Sequence, residues 1–200
     1  FRESAHEFSN LWHKQLDASD WNIHIRQEKD GTITRIASHV DDGLITGTKE
    51  NCEAVVKQLQ VPFKLKVNRG LNGIIRYVGI NIIRDGPTIR IHQNDFIEKI
   101  YEEHADNIRE LVRRPHNTPM DDDEPLLGKD LNYPRVIGQL MYLTQTRTDC
   151  VYAINTLSKY VTTAQLKHYK AAMRIIAYIF STRDYALILG DFSNTLLELY

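Results

Sequence analysis

Hydrophobic positions repeat with a period of two mainly before residue 115 and with a period near 3.6 mainly after residue 131. Residues 33–40 are rich in β-branched side chains and predict a strand; the turn Asp41-Asp42-Gly43 and a second strand over 44–46 follow. An Asp-Gly pair between two β-rich runs is a strong hairpin signal. Thr48 suits a helix N-cap, with Val55, Val56 and Leu59 facing inward along a helix that ends near Gln60. Residues 63–67, 77–83 and 88–92 read as short strands, with Asp85-Gly86-Pro87 as the turn between the last two. Asn94 is expected to cap a helix carrying Phe96, Ile97, Ile100 and Tyr101. An earlier helix over 4–16 is expected from Phe8, Leu11, Trp12 and Leu16.

Residues 116–130 break this pattern. They hold two prolines and a run of acids, and read as an exposed linker. Helices are expected over 134–144, 149–160 and 164–180, and the tail from 186 begins like a strand. The last helix is the clearest, with an apolar stripe of Leu166, Tyr169, Met173, Ile176 and Phe180 beside a basic stripe of Lys167, Lys170 and Arg174. The expected class is α+β: a mixed unit over 1–115, an acidic linker over 116–130 and a helical unit over 131–200.

Composition narrows the function classes. The 200 residues are 42% hydrophobic and 26% charged, which is globular. No run of about 18 apolar residues offers a membrane span. Cys52 and Cys150 lie far apart without a CxxC pair, against a disulfide scaffold or zinc ribbon. The net charge of −1 hides a segregation. Residues 54–84 carry six bases and no acid, 95–124 carry ten acids against four bases, and 150–183 carry five bases and no acid. Basic segments of this kind, with Lys64 and Lys66 in the first and Lys167, Lys170 and Arg174 in the last, can hold a phosphate backbone; they also read as ordinary solvated faces.

The candidate chemistry is the carboxylate pair Asp41-Asp42 at the hairpin. Enzymes that join nucleotides use two divalent ions roughly 3.5–4 Å apart. Mg²⁺ takes hard oxygen ligands and keeps several waters, so few carboxylates suffice. Neighbours in a strand point to opposite faces, so one of two adjacent aspartates carries the primary metal role. Taken alone, Asp-Asp-Gly is also simply a turn. The eight histidines show no metal-ligand spacing with the cysteines.

The surrounding residues add a resemblance. His39-Val40-Asp41-Asp42-Gly43-Leu44-Ile45-Thr46-Gly47 resembles the tyrosine-valine-aspartate-aspartate block of reverse transcriptases in Ty1/copia-type retrotransposons. Residues 1–8, 77–82, 91–97 and 117–120 resemble further blocks of that family, in its order. The densest match runs over 133–185, through Gly138-Gln139-Leu140-Met141-Tyr142-Leu143, Thr146-Arg147-Thr148-Asp149 and His168-Tyr169-Lys170-Ala171-Ala172.

The resemblance implies a partial polymerase palm with a catalytic β-hairpin, followed by a mostly helical thumb and connection region leading toward ribonuclease H. It implies that Asp41 binds catalytic Mg²⁺ (or Mn²⁺) and that Asp42 supports it. It places Glu3 and His39 near the incoming nucleotide, and Lys167, Lys170 and Arg174 near template–primer phosphates. Implied partners are an RNA template, a DNA primer, a deoxynucleoside triphosphate and the remainder of a Pol polyprotein, with no membrane. Virus-like particles and then the nucleus are the implied compartments, and no targeting signal marks either. Several positions depart from the family: His39 replaces its tyrosine, Glu3 its glutamine and Thr148 its proline, and residues 69–73 replace a shorter link. The chain starts after the family's other metal-binding aspartate and stops before ribonuclease H, so the two-ion site is expected to be incomplete and the chain inactive alone. A non-catalytic remnant that binds nucleic acid through its basic surfaces is the alternative.

Overall fold

The structure is a computed structural model that describes residues 22–40, 42–61, 63–70, 73–113, 128 and 131–190. The expected helix over 4–16, nearly all of the 116–130 linker and the tail beyond 190 lie outside the described residues. The chain divides into two compact units, Phe1–Val78 and Gly79–Tyr200.

In the first unit, strands β1 (Ile23–Gln27), β2 (Ile33–His39) and β3 (Asp42–Thr46) form an antiparallel sheet in that order. Strand β1 is not among the expected elements, although Ile23 and Ile25 alternate with polar residues as a half-buried strand requires. Helix α1 (Lys49–Gln60) starts where expected: Thr48 Oγ1 accepts from the Asn51 amide at 3.3 Å. It lays Val55 and Leu59 against Ile36, with Ile45 and Phe63 at the edge of this small core. Val56 is half-buried. Polar links fasten the helix to the sheet. Arg26 donates to Gln58 at 3.1 Å and Asn51 to Thr32 at 2.9 Å. Thr34 and Arg26 both donate to Glu28, at 2.7 Å each.

The strand expected over 63–67 does not form. After α1 the Phe63 amide closes a last turn on Leu59, and Lys64, Leu65 and Lys66 are exposed. Alternating side chains make a strand only where a neighbouring strand takes up the backbone groups. The run expected over 77–83 is likewise broken, into β4 (Ile74–Tyr77) and β5 (Ile80–Asp85). Val78 and Gly79 between them take φ of 49° and 72°.

In the second unit, β5, β6 (Thr88–His92) and β7 (Leu187–Gly190) pair antiparallel in that order. Asp85 pairs with Thr88, so Gly86-Pro87 forms the expected turn. Helix α2 (Asn94–His104) begins at Asn94 itself; Gln93 holds the cap position without a side-chain cap. Helices α3 (Tyr133–Leu143), α4 (Val151–Ser158) and α5 (Leu166–Ser181) follow. Asn132 caps α3, with Oδ1 accepting from Arg135, and Pro134 sits in its first turn.

One core joins these four helices. Ile97 and Ile100 of α2 pack with Leu140 and Leu143 of α3, Ile154 of α4, and Ala172, Ile176 and Ile179 of α5. The sequence grouped α2 with the strands before the linker. Its apolar stripe instead has α5 as partner, with Tyr101 stacked on Phe180 at 3.7 Å. Tyr133 spans the core and donates to the Leu157 carbonyl at 2.9 Å. Burial raises its phenol pKa well above the ordinary value.

Among the described residues the largest fully buried side chain is a cation. Arg147 is 1% exposed. Its guanidinium donates to both carboxylate oxygens of Asp149 at 3.0 and 2.7 Å, to the Ile179 and Thr182 carbonyls at 3.1 and 3.4 Å, and to Thr182 Oγ1 at 2.7 Å. Tyr178 adds a hydrogen bond to Asp149 at 2.8 Å. Burial alone would raise the Asp149 pKa, but the bonds from Arg147 and Tyr178 and the Arg147 charge hold it below the ordinary carboxylate value. Burial, with that bond, pushes Tyr178 up to about 12.

Two outcomes follow. Arg147→Ala costs on the order of 3 kcal/mol in urea unfolding, because it strands the acceptors of a buried ion pair. Asp149 contributes stability that is present above its unfolded pKa of about 3.9 and is lost as pH falls through its lower folded value. The stability gap between the wild-type chain and Asp149→Asn therefore narrows below about pH 4. A gap that stays constant from pH 7 to pH 3 rules this out.

Candidate functional site

The β2–β3 hairpin carries the candidate chemistry. Its ladder pairs Ile36 with Ile45, Ser38 with Gly43 and His39 with Asp42. Thr34 and Ile36 are buried, so every second residue of β2 faces α1 and the alternate ones face away. The register then places Gly43 with Ser38 on the helix side. It places His39, Asp42, Ala37 and Leu44 on the opposite side.

This corrects the expected turn. Asp42 and Gly43 are ladder residues of β3, and the strand expected to reach Val40 stops at His39. Val40 turns with φ at 50° and its side chain is 84% exposed. The Ile36–Ile45 pair, anchored on α1, sets the register and overrides the local Asp-Gly preference. A β-branched residue in the left-handed region is strained, and such strain persists only where the surrounding structure imposes it.

Of the other predicted site residues, Asp41 and Glu3 lie outside the described residues. His39 and Asp42 are exposed cross-strand partners. Lys64 and Lys66 are exposed on the coil after α1. Lys167, Lys170 and Arg174 share one side of α5, as its period requires, and border a cavity together with Asp106, Arg109 and Glu110. Arg109 was not singled out in the sequence, because only the fold brings it opposite that stripe.

Among the described residues no three His, Cys, Asp or Glu side chains gather as metal ligands. At the hairpin they supply one carboxylate, Asp42, which falls short of a donor set for Mg²⁺. Cys150 is fully buried and burial, with the Asp149 charge, pushes its thiol up to about 12, so it is a core residue rather than a nucleophile. Among the described residues no helix is long and apolar enough to cross a membrane.

The described architecture is thus α+β, with the β2–β3 hairpin in one unit and a basic helix in the other. Transposon proteins are among its relatives. The chain is similar to the putative transposon Ty5-1 protein of Saccharomyces cerevisiae, 28% identical over 187 residues that cover 89% of this chain and 58% of that protein. It is also similar to two retrovirus-related Pol polyproteins of Arabidopsis thaliana, from transposons RE2 and RE1. They are 26% identical over 194 residues and 25% over 190, and the match covers 91% of this chain and 12% of each polyprotein. The chain is homologous to retrotransposon Pol proteins and spans only part of the length of these relatives. No family model and no solved structure matches it.

Replacing Val40 by Asn, which tolerates the left-handed region, stabilises the first unit by about 1 kcal/mol in urea unfolding. Destabilisation by that substitution would show that Val40 makes contacts worth more than its backbone strain.

Proposed function

We propose that this chain is a segment of the RNA-directed DNA polymerase of a Ty1/copia-type retrotransposon Pol polyprotein. It would comprise the catalytic hairpin of the palm and the helical thumb and connection region after it. The observation that carries the reading is the hairpin itself. The residues that resemble the family's aspartate-pair block fall where one strand ends at His39 and the next begins at Asp42. The strained Val40 follows directly on His39, outside both strands. Homology to transposon Pol proteins over about nine-tenths of the chain supports it.

In this reading Asp41 ligates catalytic Mg²⁺ (or Mn²⁺), together with carboxylates from the longer polyprotein. When bound, such ions activate a primer hydroxyl and neutralise the leaving pyrophosphate. Asp42, held in the ladder, fixes the position of Asp41. His39 stands across from Asp42, on the same side of the sheet, where it faces the primer end or the nucleotide. Glu3 belongs to the same neighbourhood in the family. The partners are an RNA template, a DNA primer and a deoxynucleoside triphosphate.

The test uses a longer Pol frame of the same element. Asp41→Ala lowers Mg²⁺-dependent primer extension on the order of a thousandfold, the several kcal/mol that a positioned metal contributes. Asp42→Asn lowers it less, and neither changes the urea midpoint by more than a surface substitution does. Unchanged extension by Asp41→Ala overturns the reading in favour of a non-catalytic remnant.

A further inference from the structure

We draw no further inference here: the strongest candidate, the half-buried to exposed apolar face on which Ile82, Ile89, Ile91, Leu187 and Leu189 line up across strands β5, β6 and β7, carries nothing, because nothing in the structure shows what covers it.

Discussion

A buried guanidinium governs the second unit. Removing a charge from water is expensive, and a helical core of Leu, Ile and Ala has nothing to offer it unless acceptors are arranged around it. The chain arranges them from two directions. Asp149 comes from the 3-10 turn Thr148–Cys150, two residues beyond Arg147, and the carbonyls of Ile179 and Thr182 come from the end of α5. A helix C-terminus has carbonyls without intrahelical partners, so Arg147 satisfies α5 while α5 satisfies Arg147. The rings of Tyr178 and Tyr185 lie 5.3 and 5.5 Å from the guanidinium carbon and close its remaining sides. The result ties the turn between α3 and α4 to the last turn of α5.

That tie fixes more than a turn. Ser181, next to Thr182, holds the Val112 carbonyl, so the anchored end of α5 also holds the wall of the basic cavity. At the other end of α5, Gln165 and His168 cap the helix reciprocally, with the Gln165 amide donating to His168 Nδ1 at 2.9 Å, and His168 stacks on Tyr160. Both termini of the helix are therefore held, and its buried faces leave the Lys167–Lys170–Arg174 side turned toward the run from Asp106 to Val112. A packed core places the cations; the cations do not place themselves.

The first unit is built on less. Among its described residues Ile36, Val55 and Leu59 form the buried apolar cluster, and a network from Arg26 through Glu28 to Thr34 supplements them. This small core still suffices to set one property that matters, the register of the hairpin. With Ile36 committed to α1, Ile45 must sit opposite it, and His39 and Asp42 are carried to the other face. The backbone strain at Val40 is the consequence of that commitment. A hairpin whose register is imposed from the core is held more firmly than one set by turn preference.

Much of this was legible from local pattern. Thr48 ahead of a helix, Pro134 inside the next, the Gly86-Pro87 reversal and the apolar stripe of α5 are each decided by a few neighbouring residues, and the sequence sufficed. The order of the family-like blocks was enough to indicate homology to transposon Pol proteins. What depends on distant partners was not legible. Residues 63–67 alternate like a strand but lack a neighbour. Asp42-Gly43 looks like a turn but is drawn into a ladder by Ile36. Residues 146–149 gave no hint that their arginine is the largest fully buried side chain among the described residues, because its acceptors come from Ile179 and Thr182, more than 30 residues away. The basic stripe of α5 was visible as periodicity, but its place on a cavity wall was not. Short-range sterics and capping are written into adjacent residues; register, burial of charge and the shape of a pocket are set by contacts between segments that meet only on folding.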